Sequence, residues 1–227
     1  MKKKRVLFIS GILGEGGAER ITLYLINAFL QCGVDVTLVI RRSGGSYMPL
    51  LSSKCKVYKL SGSFKLFRLE GVVHLISLIF ILYKVRPNVI YTGLWGTAFL
   101  VRRSLKFYLR KVIYIYAISS TLDSYSNQRK EFENILKDES VALILQTDRI
   151  KKEVELYRKS DKNIYVIPSI IDPRIVKAKL ADFERKTSKI NRLVHVGRFV
   201  RVKRHRHNKW LCIATLLIAT RIPSKLT

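Results

Sequence analysis

Very little in this chain could build a disulfide framework or a metal cluster. The cysteines are three, odd in number and far apart (Cys32, Cys55, Cys212), so they point to a reducing compartment. Cys212 with His205 and His207 lacks the spacing of a zinc set, and no other metal pattern is present. No apolar run is long enough to span a bilayer. The longest, Val72 to Tyr83, is broken by His74 and Ser77 and suits a buried or interfacial helix. The basic start Met1-Lys2-Lys3-Lys4-Arg5 is followed by too short an apolar run for a secretory signal, so it reads as a cap on a first strand. Acids are scarce, and none follows Glu184.

Two nucleotide fingerprints are also missing. Gly14-x-Gly16 is followed by Glu19 where a third glycine would complete a dinucleotide loop. The second strand ends in Arg41-Arg42 rather than in an acid that could read a ribose. No Gly-Lys-Ser/Thr follows the loop, which excludes the nucleoside-triphosphate phosphate loop.

Positive charge is abundant: 43 Lys and Arg against 16 Asp and Glu, a formal net charge of +27 on 227 residues. Eight of these bases lie from Arg198 onward, so the body of the chain remains strongly basic without them. Such a charge attracts anionic membranes or nucleic acid over long range. With 48% hydrophobic residues the chain is not of the disordered class.

The pattern alternates between short apolar runs and helical spacing, which predicts a Rossmann-like parallel sheet with helices on both faces. Strands are expected at Val6–Ser10, Val36–Ile40, Lys56–Leu60, Val89–Thr92, Val112–Tyr116, Ala142–Gln146 and Ile164–Ile167. Helices are expected at Gly17–Cys32, closed by Gly33, and then at Leu69–Lys84, Phe99–Tyr108, Ser126–Lys137 and Asp148–Tyr157. Three regions follow: a domain over residues 1–185, a linker and the opening of a second domain over 186–204, and a basic tail over 205–227. The tail has no acid and no amphipathic period. It reads as out-of-frame sequence or early termination, and it is expected to lie outside the fold.

The most informative stretch is Gly14-Glu15-Gly16-Gly17-Ala18-Glu19-Arg20, set between the strand Val6-Leu7-Phe8-Ile9 and the helical positions Ile21, Leu23, Leu25, Ile26 and Phe29. A glycine loop there lets backbone approach a ligand, and free N–H groups at a helix start attract negative charge. The Gly-Gly-Ala-Glu-Arg string resembles the start of family-four retaining glycosyltransferases. Val166-Ile167-Pro168-Ser169-Ile170-Ile171-Asp172 and Leu193-Val194-His195-Val196-Gly197-Arg198-Phe199, with Lys203 beyond, resemble two later segments of that family in the same order.

The resemblance implies the N-terminal half of a GT-B fold plus the first strand of its donor-binding domain. It implies transfer of a hexose from a UDP- or GDP-sugar, with retention, to a cell-surface glycan or lipid-linked acceptor, with no metal or other cofactor. Gly16 and Gly17 would line the donor/acceptor cleft, and Arg198 and Lys203 would hold the donor diphosphate. No catalytic residue is assigned. Two departures stand out. Many relatives carry a histidine after the strand at Val112–Tyr116, where this chain has Ala117-Ile118-Ser119-Ser120, and the family's donor-binding glutamate pair has no counterpart here. The chain alone is therefore expected not to turn over. The implied location is cytoplasmic, at the inner face of the cell membrane. The alternative is a non-enzymatic basic α/β module that binds anionic membrane or nucleic acid.

Overall fold

The structure, a computed structural model, describes residues 4–14, 16–60, 70–120 and 129–169. Seven parallel strands form one sheet in the order β3-β2-β1-β4-β5-β6-β7. In chain order they are β1 (Arg5–Ser10), β2 (Asp35–Ile40), β3 (Lys56–Lys59), β4 (Val89–Thr92), β5 (Ile113–Ile118), β6 (Val141–Leu145) and β7 (Ile164–Val166). The helices are α1 (Gly17–Gln31), α2 (Glu70–Val85), α3 (Trp95–Leu105), α4 (Arg129–Leu136) and α5 (Asp148–Glu155), with a short 3₁₀ turn at Met48–Leu50.

The central strands are apolar on both faces because both faces are covered. Leu7, Ile9, Val39, Ile90, Tyr116 and Leu143 point to one side, where α2, α3, α4 and α5 supply Leu78, Val101, Phe132 and Val154. Val6, Phe8, Val36 and Leu38 point to the other, where α1 supplies Ile26. This continuous apolar patterning belongs to parallel sheets buried on both sides. The split of helices follows from the strand order. The chain moves one way from β1 to β2 and β3, then the other way from β4 to β7. Crossovers of one hand then place α1 on one face and α2–α5 on the other.

Local chemistry explains where α1 stops. Gly33 has φ +76. Its N–H donates to Leu30 O at 3.1 Å, and Val34 N–H donates to Phe29 O at 3.0 Å. That is the paired bonding by which a left-handed residue closes a helix, and glycine adopts the conformation at little cost. Beside β4, Asn88 ties the strand to β1 through both backbone and side chain. Its N–H donates to Arg5 O, and its Oδ1 accepts from Arg5 N–H, each at 2.9 Å.

The sequence reading holds for every expected element among the described residues, with shifts at the ends. The third helix begins at Trp95 rather than Phe99, because Leu94 is extended (φ −126, ψ 134) and its carbonyl accepts from Thr97 Oγ1 at 2.7 Å. β5 runs on to Ile118 because Ala117 and Ile118 pair with Ile144 and Leu145 of β6. Expectations for residues 173–190, the strand at Leu193–Val196 and the tail 205–227 lie outside the described residues, as do residues 121–128 ahead of α4.

Candidate active-site crevice

In an open parallel sheet, ligands bind beyond the carboxyl ends of the strands, at the point where strand order reverses. That point falls between β1 and β4 here, since β1 is paired with β2 on one side and β4 on the other. The loop leaving β1 runs through Gly11-Ile12-Leu13-Gly14 and the chain enters α1 at Gly16, within the glycine stretch singled out from sequence.

This loop is held from three sides. Leu13 is fully buried and anchors its middle in the core. Ser10 Oγ donates to Ile12 O at 3.1 Å. From the β2 side, Arg41 N–H donates to Ser10 O and Gly11 O (3.2 and 3.1 Å), Arg42 N–H donates to Gly11 O (2.9 Å), and Tyr47 N–H donates to Leu13 O (3.1 Å). From the β4 side, Leu94 comes within 3.9 Å of the position a Gly11 side chain would take. Gly93 faces Thr22 of α1 in the same way, at 3.8 Å.

Gly16 is the N-cap of α1, in extended backbone at φ −75 and ψ 155, and no side chain caps the helix there. Gly17 is the first helical residue, and nothing lies within 4 Å of where its side chain would be. Gly17 therefore leaves an open place at the helix start, whose first-turn N–H groups have no partner within the helix. Glu19, the one acid of the first turn, folds its carboxylate back over Gly16. An acid there complements the positive end of the helix dipole.

Sequence reasoning missed the rest of the rim. Arg41 and Arg42 served only to exclude an NAD site, yet they lie at the carboxyl end of β2, beside the loop. Arg41 Nη2 pairs with Glu70 Oε1 at 3.3 Å. Behind that pair lies a cavity of about 340 Å³ lined by Arg41, Leu60, Val72, His74, Phe99 and Arg103, among others. His74 is buried at 3% exposure. Its Nε2 lies 3.8 Å from Glu70 Oε1 and makes no hydrogen bond among the described residues. Burial, then the Arg41 charge, lowers its pKa below the ordinary 6.5, outweighing Glu70. The missed signal was available: in a parallel sheet the carboxyl ends of all strands share one edge, so residues after β2 and β4 belong with those after β1.

Ser119 and Ser120 follow β5 on the same edge. Thr92, at the end of β4, is buried and shares a 3.1 Å hydrogen bond with the Tyr114 hydroxyl, which donates to Ala98 O at 3.3 Å. This network fixes the start of α3 behind the crevice. Arg198, Lys203 and Asp172 lie outside the described residues. Among the described residues no group of three or more His, Cys, Asp or Glu could hold a metal ion.

A seven-stranded parallel sheet flanked by helices, with a glycine loop and a helix start at the reversal of strand order, is the Rossmann-like half of a GT-B glycosyltransferase fold. The family model Glycosyltransferase Family 4 matches residues 15–175, and the chain belongs to that family.

Solved structures agree on the fold. The lipopolysaccharide outer core galactosyltransferase WaaB, in its apo form, superposes with a TM-score of 0.60 at 16% identity, covering 74% of this chain and 46% of that one. Sucrose-phosphate synthase from Thermosynechococcus elongatus superposes at 0.60 and 15% identity, covering 79% and 53%. HepE from Anabaena, in complex with UDP and glucose, superposes at 0.57 and 15%, covering 76% and 46%. The chain thus spans about half the length of these structures. No curated protein matches it. The reading as a non-enzymatic basic module finds no support in these likenesses.

Proposed function

We propose that this chain supplies the acceptor side of an enzyme that moves a hexose from a UDP- or GDP-sugar to a cell-surface glycan or lipid-linked acceptor, with retention. One observation carries the reading: the family's glycine loop stands at the reversal of strand order, where α1 starts at Gly16 and the Gly17 position is open. In this reading Gly17 lets the reacting sugar and the acceptor hydroxyl approach backbone without a side chain intervening, and at Gly16 they meet the Glu19 carboxylate that lies over it. Arg198 and Lys203 neutralise the diphosphate as the sugar–phosphate bond breaks. Arg offers a planar fork to phosphate oxygens and Lys a point charge, and such positioned charge is the largest contribution expected in transfers of this type. The acceptor oxygen joins the anomeric carbon, and its proton leaves on the departing diphosphate. The chemistry uses no metal or organic cofactor.

The same reading places the protein in the cytoplasm, at the anionic inner face of the membrane, as the net charge of +27 favours. No described helix is long and apolar enough to cross a membrane.

Ligand-observed NMR on the purified chain tests the proposal, with UDP- and GDP-hexoses and with oligosaccharide or lipid-linked acceptors as probes. Binding that Gly16→Val and Gly17→Val each weaken at least tenfold, with the thermal transition retained, supports it. Absence of binding to every probe, or binding indifferent to both changes, overturns it.

A further inference from the structure

We propose that the outer face of α2 is a docking surface for an anionic lipid bilayer. The inference names the surface that would serve the membrane association proposed above, and it rests on that reading.

α2 is apolar on both sides. Its inner side is core, with Leu78, Ile81 and Leu82 buried. Its outer side should be polar if it met only water. Instead Val72, Ile76, Phe80 and Tyr83 are exposed there, at 51, 61, 69 and 39%. Their spacing repeats every three to four residues, so they form one stripe along the helix. The stripe continues past the helix end. Tyr83 Oη donates to Phe107 O at 3.0 Å and accepts from Leu109 N–H at 3.4 Å. Phe107 and Leu109 are themselves exposed, at 58 and 90%. An apolar surface this extended on a domain marks a binding face.

The charge around the stripe selects the partner. From Gly71 to Leu122 the chain contains no Asp or Glu. Within that stretch Lys84, Arg86, Arg103, Lys106, Arg110 and Lys111 are all exposed. Apolar side chains rimmed by bases that pair with no acid among the described residues complement a surface with anionic headgroups above an apolar interior. A second copy docking through the same face would bring two sets of these bases together, and like-charge juxtaposition disfavours that. The geometry also sets the mode. Sixteen residues give a helix of about 24 Å, short of the roughly 30 Å hydrocarbon core, so α2 lies on the bilayer and does not span it. Val72, at the other end of the stripe, lines the 340 Å³ cavity together with Arg41, so the docked face reaches the rim of the crevice. A lipid-linked acceptor would then be presented beside the site.

The test is vesicle sedimentation with the full chain, using phosphatidylcholine alone and phosphatidylcholine with phosphatidylglycerol. The wild type should bind the anionic vesicles, less tightly as salt rises. Ile76→Ser with Phe80→Ser should weaken binding on the order of tenfold or more, as should Lys106→Ser, Arg110→Ser and Lys111→Ser together. All five side chains are exposed, so the fold should tolerate the changes, and circular dichroism melts confirm it. Leu156→Ser, at an exposed residue of a different helix end, should bind as the wild type does. Unchanged binding by both variant sets overturns the α2 surface and leaves membrane association standing. No binding by the wild type overturns both. A concentration-dependent dimer that Ile76→Ser with Phe80→Ser dissociates makes a second copy the occupant and also overturns the proposal.

Discussion

Gly45 packs against the main-chain carbonyl of Leu13 so closely that no side chain fits between them. The two residues are 32 positions apart, and their contact joins the loop after β2 to the glycine loop after β1. Gly45 also has φ +107, outside the range L side chains adopt readily.

A comparison within one dipeptide tests this contact. Gly44 has φ +96 with nothing within 4 Å, so Gly44→Ala meets backbone strain alone. Gly45→Ala meets the strain and the Leu13 carbonyl together. Urea unfolding should show a loss of about 1 kcal/mol for Gly44→Ala and about 3 kcal/mol for Gly45→Ala. Equal losses would mean that the two loops do not touch as described.

Arg158 gives a second stability prediction. The residue is 2% exposed. Nε donates to Leu136 O at 2.7 Å, Nη1 to Val141 O at 3.1 Å and to Lys162 O at 3.4 Å, and Nη2 to Asp138 O. One side chain thus satisfies the end of α4, the start of β6 and the turn before β7. Lysine carries the charge but lacks the fork. Arg158→Lys should cost about 2–4 kcal/mol in urea unfolding, because buried carbonyls lose their donors. A loss below about 0.5 kcal/mol would show that other groups take over.

His74 makes stability depend on pH. Burial, with Arg41 and Arg42, lowers its pKa below 6.5, and Glu70 opposes them only in part. Arg103, on the neighbouring helix, lines the same cavity. The folded state therefore binds a proton at His74 less readily than the unfolded chain, which takes one up below about pH 6.5. Its contribution is fully present above that pH. It is lost as pH falls from 6.5 toward the folded-state value, at up to about 1.4 kcal/mol per pH unit. His74→Leu should flatten this part of the stability profile between pH 5 and 6.5. An unchanged slope would place the pH dependence elsewhere.

The cysteines should differ in reactivity. Cys32 is exposed and Cys55 buried. Burial pushes the Cys55 thiol up to about 11, against a smaller lowering by a backbone hydrogen bond at Leu38. At pH 8 about one part in a thousand of Cys55 is thiolate. Iodoacetamide followed by peptide mass spectrometry should find Cys32 alkylated while Cys55 is intact. Equal labelling would mean that the β3 edge opens readily.

What the sequence determined by itself was local. Apolar runs bounded by turn residues located seven strands, because burial on both faces demands continuous apolar residues. Gly33 could be read as the stop of α1, because a helix end of that kind needs a left-handed residue. The glycine loop could be read as a ligand cradle and as a family mark, because its residues are contiguous. What only the tertiary structure decided was non-local. No periodicity states that β4 lies beside β1, yet that neighbour relation makes the loop after β1 a crevice and brings in Gly93, while β2 on the other side brings in Arg41 and Gly45. The contact of Gly45 with Leu13 and the reach of Arg158 to four carbonyls depend on strand order in the same way. α2 shows the limit most plainly. A helix apolar on every side has the same sequence pattern whether its outer face is covered or bare. The position of its neighbours, set by the crossover from β3 to β4, decides which side chains remain exposed.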